Sequence, residues 1–150
     1  MVSCAPRLVV DSAPVASKIA TVRDAMARVR AVLPDSSEAF VADRTAREVV
    51  TLNVFVAIQT CLDLATHWLA DEGWDVPATY ADVFTVLAER SIIPRDLAAR
   101  LASAAAFRNI VAHQYGVLDW RRVHALAGSD LGDLETFCAL LAARARDQKN

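Results

Sequence analysis

An arginine, an asparagine beside it, a histidine five positions on and a tyrosine two further stand in the run Phe107-Arg108-Asn109-Ile110-Val111-Ala112-His113-Gln114-Tyr115. The surrounding sequence is apolar and rich in alanine, where a guanidinium and an imidazole need a reason to be. Together they suit phosphodiester chemistry. A guanidinium can rest on non-bridging phosphate oxygens and stabilise the charge that builds there in a transition state. An imidazole with an ordinary pKa of about 6.5 can take or give a proton at neutral pH. The fitting reaction is metal-independent RNA cleavage: the ribose 2′-hydroxyl loses a proton while attacking phosphorus, and the departing 5′-oxygen gains one. DNA lacks that hydroxyl and should resist.

These four residues need a helix to arrange them. Residues five apart on a helix point about 140° apart, so Arg108 and His113 do not stack directly. Asn109 and His113 share a face, where Asn109 can orient the imidazole or bond phosphate. Arg108 and Tyr115 share the next face if the helix continues past His113, and the long arginine can swing toward the histidine. One copy makes a thin active site, whereas two copies across a dimer axis would frame a cleft. The plainer alternative is a helix cap, since cations near a helix C-terminus interact favourably with its dipole and last carbonyls. Likewise Tyr115 alone reads as a half-buried aromatic with its hydroxyl outward.

Composition bounds the fold that must carry them. The chain has 150 residues, 55% apolar, with only 4 glycines and a net charge of −2. That suits one helical domain with a sizeable core. Charge is uneven: residues 35–90 hold ten acids against three bases, while residues 95–122 hold five arginines against two aspartates. A basic face near the motif can attract nucleic-acid phosphate, although a solvated charged surface explains such asymmetry as well. Cys4, Cys61 and Cys138 lack metal-ligand spacing, and the latter two read as buried thiols in a reducing cytoplasm. No secretory leader, membrane-spanning run or Gly-rich phosphate loop is expected.

The periodicity predicts an all-α bundle of four to five main helices, with residues 1–13 as an extended arm. Pro14 opens a first helix over 14–33, with Val15, Ile19, Val22, Met26, Val29 and Val32 at helical spacing. Asp35 with Glu38 predicts a capped short turn. A long helix over 44–72, closed by Gly73, is apolar almost all round and should be central. Its polar exceptions Asn53, Thr60, Asp63 and His67 form one narrow stripe, in which Asp63 and His67 read as an internal hydrogen-bonded pair rather than metal ligands. Thr79 and Asp82 cap a helix to Arg90, and Pro94 starts the motif helix. Asp119 and Ser129 are candidate caps for the last two helices. The alanines of 97–107 offer a close-packing face, either inside the bundle or across a dimer axis.

The pattern Arg-Asn-x-x-x-His-x-Tyr resembles the signature of the HEPN superfamily, specifically its HepT-like toxin branch. The likeness extends from about Asp43 to Ala143: Cys61 to His67 resembles the central helix of that branch, and Pro77 to Pro94 its connecting segment. It implies a single HEPN domain over 1–150, acting as a dimeric helical ribonuclease toxin without cofactor or metal. Arg108 and His113, with Asn109, would be its catalytic residues, and Asp63 and His67 its cleft support. It also implies a partner, an MntA-like minimal nucleotidyltransferase antitoxin that transfers AMP to Tyr115. Gln59 and Gln114 stand where the resemblance leads one to expect acids. The alternative function is a non-catalytic HEPN module that binds nucleotide, RNA or a partner.

Overall fold

The structure, a computed structural model, describes residues 12–129 and 131–148. Among these it holds seven α-helices: α1 (Ser12–Val32), α2 (Ser37–Ala42), α3 (Arg44–Asp71), α4 (Tyr80–Glu89), α5 (Arg95–Gln114), α6 (Trp120–Ser129) and α7 (Leu131–Asp147). A 3-10 turn, Tyr115–Val117, joins α5 to α6. The all-α expectation holds, and most boundaries fall within two residues of those the sequence suggested. Of the expected N-terminal arm, residues 1–11 lie outside the described residues, while Ser12 and Ala13 already belong to α1.

Helix α3 organises the rest. Val50, Val54, Ala57, Ile58, Leu62, Leu64, Ala65, Trp68 and Leu69 point in several directions around its axis, and all are buried. Such a helix leaves only scattered positions such as Leu52 and Asp63 in solvent and must be wrapped on most sides. α1 lies along it, α5, α4 and α7 cover its other sides, and α2 and α6 close its N-terminal end. The expectation that no segment approaches a membrane span needs correcting here. α3 is long and apolar enough by composition, yet 50% of its most apolar window is buried inside the bundle. It is the core helix of this fold. Phe84 of α4 meets Phe137 of α7 edge to face at 5.5 Å, which ties the far helices across the core.

Caps set the helix ends. Ser36, rather than Asp35, caps α2, its hydroxyl accepting from the Ala39 amide at 3.1 Å. Asp43 caps α3 in the same way through Ala46 at 3.0 Å, and Thr79 caps α4 as predicted. Ser129 is the last residue of α6, and its hydroxyl donates back to the Ala125 carbonyl. The predicted stop at Gly73 is a Schellman turn: Trp74 N–H donates to Leu69 and Gly73 N–H to Ala70, with Gly73 at φ 73°. Arg90 then lies 4.6 Å over the Trp74 ring.

The end of α4 repeats that turn with a residue poorly suited to it. Ile92 N–H donates to Leu87 and Ser91 N–H to Ala88, with Ser91 at φ 59°. A side chain in this left-handed conformation costs about 1–2 kcal/mol relative to glycine, partly offset by the freedom glycine adds to the unfolded chain. Ser91→Gly should therefore raise stability by about 0.5–1 kcal/mol. The thermal midpoint should rise by about 2–4 °C, and an unchanged or lower midpoint would contradict this account of the turn.

Candidate functional site

Arg108 leaves α5 toward α3 and α4. Its Nε donates to Gln59 Oε1 at 2.6 Å and its Nη1 to Asn109 Oδ1 at 3.0 Å. The guanidinium carbon lies 5.3 Å from the Phe55 ring centre and 5.1 Å from that of Tyr80. Two aromatic faces and two amide oxygens thus fix the group, and none of these partners carries a charge. Gln59 in turn donates from Nε2 to Asp63 Oδ1 at 2.9 Å. A chain Asp63–Gln59–Arg108–Asn109 results. It draws Asp63, suspected of supporting the cleft, into the arginine's surroundings.

Several expectations change. Arg108 does not swing toward His113, because the Gln59 carboxamide and the two rings hold it on the α3 side. Asn109 accepts from Arg108 instead of orienting the imidazole. Asp63 and His67 are not paired with each other: each reaches a neighbour one turn away, Asp63 to Gln59 and His67 Nε2 to Asp71 Oδ2 at 3.2 Å. Among the described residues no group of three His, Cys, Asp or Glu is placed to hold a metal.

α5 ends at Gln114, whose backbone (φ −139°, ψ 39°) leaves the helical path. Tyr115 therefore does not continue the face of Arg108. It turns out to lie edge-on to Trp120 of α6, ring centres 5.8 Å apart. His113 is exposed on the last turn of α5, between the fixed arginine and the tyrosine. The alanine-rich run divides in two: Ala98 and Ala105 are buried beside Leu97 and Leu101, while Ser103 and Ala106 are exposed. Those exposed residues, with Phe107, Ile110, Val117 and Arg122, line a groove of about 470 Å³ between α5 and α6.

The arginines of 95–122 are not equivalent. Arg100 pairs with Asp96 and Asp133, and Arg121 with Glu38. Hydrogen bonding to Arg100 holds the Asp96 carboxyl below the usual carboxylate range, and Arg121 does the same for Glu38. Arg108 alone of these three is held by uncharged groups. An exposed basic surface survives in smaller measure than the sequence count suggests.

A family model described as Ribonuclease HepT-like matches residues 22–141. The chain belongs to that family. It is 31% identical over 127 residues to the mRNA nuclease HepT of Shewanella oneidensis, covering 85% of this chain and 95% of that protein. Among solved structures it resembles a toxin–antitoxin crystallised with AMP-PNP, at 29% identity and TM-score 0.81, covering 87% of this chain and 98% of that one. It also resembles the tri-AMPylated S. oneidensis HEPN toxin in complex with an MNT antitoxin, at 30% identity and TM-score 0.80, over 87% of this chain and 97% of that one. Within this HepT-like chain, sequence reasoning overlooked Phe55, placed Tyr80 only in the connecting segment, and noted Gln59 only as a departure from an expected acid. One signal was available: Gln59 stands four residues before Asp63, so the two share a face of α3.

Removing the Gln59 carboxamide should free the guanidinium. The Arg108 side-chain Nε–H is expected as a resolved, slowly exchanging NMR signal in the parent and a fast-exchanging one in Gln59→Leu. The substitution should cost about 1 kcal/mol of stability, as for one partly exposed hydrogen bond. An unchanged Nε–H signal would show that the two rings and Asn109 suffice to hold the group.

Proposed function

We propose that this chain is the ribonuclease toxin of a toxin–antitoxin pair, cutting RNA by attack of the 2′-hydroxyl without a metal. The observation that carries the reading is Arg108, held by uncharged partners on the same helix as an exposed His113 five residues on. A guanidinium held this way keeps its full charge for a phosphate, and does not have to be ordered when RNA arrives. Membership of the HepT-like family and the mRNA nuclease activity named for its S. oneidensis relative support the same conclusion.

In the reaction, one imidazole removes the 2′-hydroxyl proton as the oxygen's electron pair forms the new bond to phosphorus. The bond to the 5′-oxygen breaks, and that oxygen takes a proton. Arg108 sits on the non-bridging oxygens, where negative charge grows. Two protons move at opposite ends of one phosphate, so a second His113 from a homodimer supplies the complementary acid. The exposed Ile110 and Val117, 42% and 72% accessible, offer apolar surface beside the motif for that second copy.

Regulation would act at Tyr115, which is 44% exposed. A nucleotidyltransferase antitoxin of the MNT type would join AMP to it: the phenolic oxygen attacks the α-phosphorus of ATP and pyrophosphate leaves. The added nucleotide brings bulk and negative charge to the arginine–histidine surface and repels RNA phosphate. The site of action is the cytoplasm, in keeping with Cys61 and Cys138. Their sulfurs lie 4.0 Å apart, unbridged and buried, and the Cys61 thiol is pushed up by its hydrogen bond to Cys138 and by burial.

Purified protein should cut RNA in the presence of EDTA, leaving 2′,3′-cyclic phosphate and 5′-hydroxyl ends and sparing DNA of the same sequence. Arg108→Ala and His113→Ala should each lower the rate by about 10²–10⁴-fold. Full activity in His113→Ala would remove the imidazole from the mechanism. Absence of cleavage by the folded parent on varied RNAs would leave a non-catalytic binding module. Separately, Tyr115→Phe should take up no labelled AMP from ATP and antitoxin, and persistent labelling would place the acceptor elsewhere.

A further inference from the structure

A second cluster of aromatic and cationic side chains lies where α3 and α6 begin, directly after His113 in the chain. Tyr115 presents a partly exposed ring packed against Trp120 in a T-shaped arrangement at an interplanar angle of 72°. Trp120 is itself fixed from two further directions. Phe40, fully buried, meets it edge to face at 6.4 Å, and the Arg47 guanidinium lies 5.1 Å from its ring centre. Arg47 is anchored through a hydrogen bond from Nη1 to the Val41 carbonyl, and its buried Nε has no partner.

Arg44 is the first residue of α3, three positions before Arg47 and therefore on the same side of the helix. It is tied to Glu48, Nε to Oε1 at 2.8 Å, with the two side chains 82% and 53% exposed. Such a pair is readily exchanged for a phosphate. The Arg44 guanidinium is held above its ordinary value by the Glu48 hydrogen bond, then by that carboxylate's charge, and last by Tyr115. Arg44 and Arg47 thus share the side of α3 against which Trp120, and through it Tyr115, is packed.

We propose that Tyr115 and Arg44, braced by Trp120 and Arg47, form a subsite for one nucleotide of single-stranded RNA beside the scissile phosphate. The base stacks on the Tyr115 ring and its phosphate meets Arg44. The proposal rests on the ribonuclease reading above. An exposed aromatic ring supported from behind, next to a cation, is what single-stranded RNA binding requires, since every base has a face to stack and every nucleotide a charge. Trp120 keeps Tyr115 from turning inward, and Arg47 keeps Trp120 in place. Tyr115 then has two uses. Its ring receives substrate, and a nucleotide joined to its hydroxyl fills the very place the substrate needs.

The test is binding of a short single-stranded RNA with 2′-O-methyl riboses, which cannot be cut, followed by fluorescence anisotropy across a salt series. Cleavage of the unmethylated RNA is measured alongside, all with the intact protein. Tyr115→Ala should weaken binding by about 5-fold or more, as expected for loss of one stacked base, while Tyr115→Phe keeps it. Arg44→Ala should weaken binding and lower the slope of log affinity against log salt by about 0.7, and Arg44→Lys should restore the slope. Arg144→Ala is the charge control. It lies one turn before Gln148, which bonds Glu72 at the opposite end of α3, roughly 40 Å away along a helix of 28 residues. Its affinity and slope should match the parent's. A parent that cuts RNA, with Tyr115→Ala and Arg44→Ala binding as it does, overturns the subsite and leaves the ribonuclease reading standing. A parent that neither binds nor cuts RNA overturns both.

Discussion

Helix α3 must be surrounded, and the rest of the molecule follows from that. Its 28 residues carry apolar side chains around almost the whole circumference, so any arrangement leaving one side in water would forfeit a large part of the hydrophobic driving force. The other helices answer that demand by wrapping it. What matters for function is the remainder, the few positions of α3 where polar groups interrupt the apolar surface. Gln59 and Asp63 are two of these, and both are linked to Arg108. The core helix is therefore also the wall of the site. The arginine's position depends on the bundle's packing, because its principal partner stands on the core helix.

Neutral partners give that rigidity a particular character. A carboxylate at Gln59's position would hold the guanidinium at least as firmly, but would cancel much of its charge. A carboxamide oxygen at 2.6 Å, an asparagine oxygen at 3.0 Å and two ring faces orient the group while leaving the positive charge available. Asp63 lies one residue removed, bonded to the amide nitrogen of Gln59, and so polarises the amide without pairing directly with the arginine. The contrast with Arg100 and Arg121 is instructive. Both have carboxylate partners, and both serve to fasten one helix to another.

Helix positions were legible because their signals are local. Gly73, Thr79 and Pro94 mark boundaries through backbone requirements that read the same in any fold. The apolar circumference of α3 announced a central helix for the same reason. Errors arose where a choice depended on contacts distant in sequence. Asp35 and Ser36 are both plausible caps, and only the approach of the chain decides between them. Asp63 and His67 are spaced to pair, but Gln59 and Asp71 stand at the same spacing on either side and take them. Arg108 is 49 residues from Gln59, so no periodicity argument could connect them. The motif itself was legible as residues and illegible as geometry. Which way a long side chain turns is settled by what lies across the helix interface.

The break after Gln114 gives the motif its final property. Had α5 continued, Tyr115 would lie beneath Arg108, seven residues back, and a single helix face would carry both. The backbone leaves the helix instead, and the 3-10 turn delivers the tyrosine to Trp120. The motif is thereby spread between two anchors on α3: Arg108 toward Gln59 and Phe55, and Tyr115, through Trp120, toward Arg47 near the helix start. His113, between them in sequence, is exposed on the last turn of α5. Both anchors thus belong to the one core helix, so the positions of arginine and tyrosine are set by the same packing that buries α3.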